Sequence, residues 1–124
     1  MHNKNKLLFF ATSWTVIIAF LSLATLGNLG GSISIPNKDK IVHFIMYFIF
    51  VILWALYRNT KEYKSKTGLI IALIAISYGG LIEIFQELFT STRCADFFDF
   101  LANSTGALLG MFFINKHLIN KRKI

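Results

Sequence analysis

Four apolar stretches, at about residues 7–26, 41–57, 69–89 and 97–114, take up most of this 124-residue chain. Each has about the 17–25 residues that a helix needs to cross the hydrocarbon core of a bilayer. The fold class that follows is an all-α membrane protein, with four transmembrane helices in a compact bundle forming one domain over residues 1–124. Composition agrees, because 55% hydrophobic residues and a mean hydropathy of +0.58 are too apolar for a soluble domain of this size. No length is left for a separate soluble domain.

The first stretch contains no ionisable residue. Lys4 and Lys6 ahead of it resemble the basic start of a signal peptide. Its apolar run exceeds the usual length of about 7–15 residues, however, and no A-x-A-like cleavage site follows. A retained helix is the expectation.

The basic residues set the orientation. Lys4 and Lys6 precede helix 1, Arg58, Lys61, Lys64 and Lys66 lie between helices 2 and 3, and Lys116, Lys121, Arg122 and Lys123 follow helix 4. Only Lys38, Lys40 and Arg93 fall on the other side. Lysine and arginine gather in cytoplasmic loops, so both termini are expected inside and two short loops outside. The net charge of +7 then reflects topology and contact with anionic lipid. Nucleic-acid binding is a poor reading, since the charges sit at scattered helix ends. Cys94 is the one cysteine, which rules out an intrachain disulfide and makes it a small spacer residue of the second outer loop.

Gly27-Asn-Leu-Gly30-Gly31 through Pro36-Asn37 breaks helix 1 and forms the first outer loop. No GK[ST] follows, so these glycines read as a connector and not as a phosphate cradle. Asn37 or Asp39 suits the N-cap of helix 2. A charged turn runs from Arg58 to Gly68, and Thr90-Ser91-Thr92 leads into helix 4.

Polar residues recur within the apolar segments at matched depths. At about 1.5 Å of rise per residue, Tyr47, Glu83 and Asn103 each lie about 9 Å below the outer ends of their helices. His43, Gln86 and Asp99 form a shallower layer at about 3–5 Å. Lys40, Arg93 and Asp96 fall at the interface. Faces agree too: His43 and Tyr47, like Asp99 and Asn103, are i,i+4 neighbours, and Glu83 and Gln86 are i,i+3. Gly79 shares the Glu83 stripe. Gly106 and Gly110 continue the Asp99–Asn103 stripe as a GxxxG pattern that lets helices approach closely, and packing is their expected role.

Each residue also has a plainer reading. Asp96 can simply cap helix 4, with Asp99 in its first turn favoured by the helix dipole. His43 can bond to headgroups, and Asn103 can be interhelical glue. Glu83 is hardest to dismiss, since an acid in a bilayer requires a partner or a proton. Lys40, Arg93 and His43 are the cations within its reach. No metal is expected: without HExxH or a second histidine, His43, Glu83, Asp96 and Asp99 do not make a zinc set, and a divalent ion bridging to a phosphate is left as an open alternative. No nucleophile motif such as G-x-S-x-G is present, and no cofactor is expected.

Asp39-Lys40-x-x-His43-Phe44-x-x-Tyr47, then Glu83-x-x-Gln86, then Arg93-x-x-Asp96-x-x-Asp99-x-x-x-Asn103-x-x-Gly106-x-x-x-Gly110 together resemble the VanZ-like family of bacterial membrane proteins. The resemblance spans about residues 37–112. It departs at Thr90-Ser91-Thr92-Arg93, where the family often has Pro-Gly before the arginine. What it implies is a multi-pass protein of the bacterial cytoplasmic membrane and the cell envelope. The family's named member is associated with resistance to the glycopeptide teicoplanin, and the resemblance supplies no reaction.

The function favoured at this point is recognition of an anionic lipid-linked or cell-wall-associated ligand by an outward-facing polar pocket, with its modification as an extension of that reading. Lys40 and Arg93 would hold phosphate or carboxylate groups. His43 and Glu83 would be the proton-handling pair, and Tyr47, Gln86, Asp96, Asp99 and Asn103 would orient them or the ligand. The partners expected are membrane lipids and that ligand. A non-catalytic scaffold of an envelope complex is the alternative, and proton-coupled transport is weaker because the inner half of the bundle offers no ionisable residue. Oligomeric state and catalysis stay open.

Overall fold

The computed structural model describes residues 4–23, 38–59, 63–89 and 97–122. They form helices α1 (Lys4–Leu23), α2 (Lys38–Tyr57), α3 (Ser65–Phe89) and α4 (Phe97–Arg122). All four are long and apolar enough to cross a membrane. No strand occurs among the described residues. The outward-turned surface is apolar: Phe9, Phe10 and Phe20 on α1, Ile74 and Leu88 on α3, and Phe112 and Phe113 on α4 are all exposed. Side chains of that kind are stable facing acyl chains, where water would penalise them.

The helices alternate in direction. Lys4 Nζ sits 5.6 Å from the centre of the Tyr57 ring, which puts the start of α1 beside the end of α2. Asn115 Nδ2 donates to the Ser65 carbonyl, which puts the start of α3 beside the later part of α4. Lys40 and Asp99 pair at the opposite end, where α2 and α4 both begin. The bundle therefore has a basic end, with Lys4, Lys6, Lys64, Lys66, Lys116 and Lys121, and a site end with Lys40, His43 and Asp99.

The closest association is between α2 and α4. Gly106 lies against the Phe44 carbonyl so tightly that a Cβ there would collide with backbone, and a Cβ on Gly110 would lie 2.9 Å from the Phe48 oxygen. Buried residues follow helical spacing on each facing stripe. Met46, Tyr47, Phe50, Val51 and Ala55 line α2, and Ala107, Met111, Ile114 and Leu118 line α4. On α3 the stripe is small and apolar below (Ile71, Ala72, Ala75, Gly79) and polar above (Glu83, Gln86).

Helix α1 buries few side chains, namely Ala11, Ile18 and Ser22. It is held by hydrogen bonds instead. Trp14 Nε1 donates to the Met46 carbonyl at 2.8 Å, and Trp54 Nε1 to Thr15 Oγ1 at 3.1 Å. Tyr78 OH donates to the Thr15 carbonyl at 2.6 Å. In hydrocarbon such bonds replace the hydrophobic effect as a source of helix–helix attraction.

Several boundaries differ from the hydropathy reading, among them the start of α1 at Lys4. Helix α2 starts at Lys38, which places Asp39 inside its first turn, and α3 starts at Ser65. The larger change is in α4, which runs two turns past residue 114 to Arg122. Asn115, Lys116, His117 and Asn120 end the apolar run, yet Ile114 and Leu118 stay buried at i,i+4 and carry the helix onward. In the segment read as a charged turn, Tyr63 is buried and its hydroxyl donates to Asn115 Oδ1 at 2.6 Å. Gly68 makes room for the same asparagine. The first outer loop, Asn37, and the turn holding Cys94 lie outside the described residues.

Candidate functional site

The site lies where α2, α3 and α4 face one another near the Lys40 end. His43 is buried, and its Nδ1 lies 2.9 Å from Asn103 Oδ1. Its Nε2 is 3.9 Å from Asp99 Oδ2, beyond hydrogen-bond length and within ion-pair reach when the ring is protonated. Lys40 Nζ meets Asp99 Oδ1 at 3.3 Å. A carboxylate of α4 is thereby held between an ammonium and an imidazole of α2. The Lys40 side chain is 34% exposed and that of Asp99 14%, so this pair sits at the mouth while His43 lies within.

Local sequence explains the arrangement. One α2 face carries Lys40, His43 and Tyr47 at spacings of three and four, and one α4 face carries Asp99, Asn103 and Gly106 at four and three. Because Gly106 brings α4 onto the α2 backbone, the short Asn103 side chain can reach His43. Asp99 is also in the first turn of α4, where the helix dipole favours an anion.

From α3, Glu83 is buried and brings a carboxylate oxygen into the same space. Ligand atoms of His43, Glu83 and Asp99 all lie within 4.8 Å of one another. These three are among the residues named from sequence as hard ligands for the open alternative of a divalent ion bridging to a phosphate. The set is short of the imidazoles of common zinc sites, and the Lys40 ammonium already supplies positive charge to Asp99. Tyr47 is fully enclosed. Gly79 opens the gap that Tyr47 and Asn103 fill, since a Cβ there would stand 3.3 Å from the tyrosine ring and 2.8 Å from Asn103 Nδ2.

Gln86 extends the site in a direction that depth alone did not reveal. Its Nε2 donates to the Ser22 carbonyl on α1 at 2.5 Å, which makes the end of α1 a wall of the site. Ser22 is itself buried, and its hydroxyl lacks a hydrogen-bond partner among the described residues. Sequence reasoning passed over Ser22 because a serine near the end of an apolar helix carries little signal. Arg93 and Asp96 lie outside the described residues. The structure thus brings together Lys40, His43, Tyr47, Glu83, Asp99 and Asn103, with Gln86 linking them to α1.

Four membrane-length helices around a buried histidine, two acids and an amide define a class: multi-pass, all-α membrane proteins with an intramembrane polar site. The chain belongs to the VanZ/LLP1 family, whose profile matches residues 2–119. It is also similar to the uncharacterized protein C11E3.10 of the fission yeast Schizosaccharomyces pombe, at 26% identity over 111 residues. That match covers 88% of this chain and 65% of the yeast protein, so the chain spans just under two thirds of its relative's length. No solved structure matches. Since a yeast protein shares the likeness, family membership by itself does not assign the chain to a bacterial membrane.

Proposed function

We propose that this protein recognises an anionic lipid-linked or cell-wall-associated ligand at the outer leaflet of a bacterial cytoplasmic membrane, and that His43 and Glu83 exchange protons in its modification. The carrying observation is the setting of His43. With Asn103 Oδ1 as acceptor, Nδ1 holds the hydrogen, Nε2 faces Asp99, and a Glu83 carboxylate oxygen lies within 4.8 Å of a ring nitrogen. An imidazole whose Nδ1 hydrogen is held by an amide, with a carboxylate facing its other nitrogen, is equipped to pass a proton.

Lys40 gives the anion its entry point. Its ammonium is partly exposed and balanced by Asp99. A ligand phosphate that draws Lys40 away leaves Asp99 to act on His43 alone, so binding at the mouth is coupled to the buried imidazole. Arg93, close by in sequence, would add a second cation. On this reading any link to glycopeptide susceptibility runs through the bound ligand.

The test is Glu83→Gln and His43→Gln, each expressed at normal level in a bacterial host. Membrane insertion should persist while teicoplanin susceptibility reverts to that of cells lacking the protein, and material carrying lipid-linked phosphate should cease to copurify. Wild-type behaviour of both variants would favour a second reading, in which the polar groups are structural glue within an envelope scaffold. That reading draws on the internal pairing of Lys40 with Asp99, His43 with Asn103 and Gln86 with Ser22.

A further inference from the structure

The basic end carries two adjacent hollows that the site at the other end does not use. One, of about 430 Å³, lies between the start of α3 and the later part of α4, and Ser65, Lys66, Leu69, Phe112, Lys116 and Asn120 border it. The second, of about 580 Å³, is formed by Phe113, Lys116, His117, Asn120 and Lys121. Lys116 and Asn120 belong to both and form a ridge between them.

The chemistry of the first hollow is graded. Leu69 and Phe112 are exposed apolar side chains on the side toward the membrane. Above them stand two ammonium groups and an amide, at the point where α3 begins. At the start of α3 the Thr67 and Gly68 N–H groups bond the Lys64 carbonyl, and the positive end of the helix dipole there favours a phosphate. The second hollow repeats the pattern, with Phe113 below and Lys116, His117 and Lys121 above. Basic pockets between transmembrane helices suit acidic lipid headgroups.

We infer that the basic end binds an anionic phospholipid of the adjoining leaflet, with its phosphate between Lys66 and Lys116 and its acyl chains along Leu69 and Phe112. Because the two hollows share Lys116 and Asn120, a lipid with two linked phosphates straddles the ridge and occupies both. Such a lipid binds more tightly than one with a single phosphate. Zwitterionic lipid lacks the net charge that the three lysines of the two rims, Lys66, Lys116 and Lys121, would balance. This inference concerns the end away from His43 and does not depend on the reading of that site.

The experiment uses the full chain, purified in a neutral detergent and followed by native mass spectrometry and thermal unfolding. Added lipids are diphosphatidylglycerol, phosphatidylglycerol and phosphatidylcholine. Retention and thermal protection should fall in that order. Each lysine near an anionic surface contributes about 1 kcal/mol, so Lys66→Gln should weaken diphosphatidylglycerol binding about 5-fold, and Lys66→Gln with Lys116→Gln about 30-fold. A control pair, Lys4→Gln with Lys6→Gln, should leave it unchanged. Equal retention of phosphatidylcholine, equal loss in the control pair, or equal protection by inorganic phosphate would overturn the assignment. Should the double variant prove unstable, the wild type still decides: diphosphatidylglycerol binding must weaken as salt rises, and salt-independent binding would overturn it.

Discussion

At the scale of single residues, Asn103 is the clearest case of one side chain serving several others. It accepts from His43, fits beside Gly79 and contacts α2 from α4. Asn103→Ala removes the acceptor for a buried N–H. The expected loss is about 1–2 kcal/mol, near the measured range for hydrogen bonds between membrane helices, seen as a lower midpoint of thermal unfolding in detergent. If His43 passes protons as proposed, that transfer should suffer more than stability, because the ring loses the acceptor at Nδ1. Rescue by Asn103→Asp, which restores an acceptor, would separate the two effects. Tyr63→Phe is a matched test at the other end. Losing its bond to Asn115 should cost about 0.5–1.5 kcal/mol and leave the His43 site intact, so a shifted His43 imidazole NMR signal in a well-folded Tyr63→Phe protein would contradict that separation.

At the scale of helices, glycine decides which pair is closest. Gly106→Ala sets a methyl group against the Phe44 carbonyl, and backbone cannot step aside as a flexible side chain can. Overpacking of this kind costs about 1–3 kcal/mol. Gly110→Ala meets the Phe48 oxygen less severely, so its unfolding midpoint should lie between that of Gly106→Ala and the wild type. The reverse order would mean that the two helices pack differently from the arrangement described. The spans themselves were legible in the sequence, because hydropathy registers any long run of Leu, Ile and Phe. The tail of α4 was not, since its polar residues lower the average while Ile114 and Leu118 keep one face buried. Depth counting set His43 level with Asp99 and a layer above Asn103, but it could not say that His43 would bond to Asn103 or that Gln86 would turn to Ser22. That choice depends on which helix stands beside α3, and periodicity within one helix carries no such information.

At the scale of the molecule, charge asymmetry and helix direction make one joint statement. Ten of the thirteen lysines and arginines are on the side of the termini, so a reporter fused after Ile124 should be cytoplasmic. Cys94 should react with a membrane-impermeant thiol reagent in intact cells. An external signal from the C-terminal reporter would reverse the orientation and place the His43 site inside. The means of attachment also differ around the bundle. Helices α2 and α4 meet backbone to backbone, whereas α1 is fastened by Trp14, by Thr15 with Trp54 and Tyr78, and by Gln86 through Ser22. Pulled from its N-terminus, the chain should therefore come apart in two stages, with α1 leaving first as those few bonds let go one after another. Its departure would strip one wall from the polar site while the clasp of α2 on α4 still held His43 against Asn103.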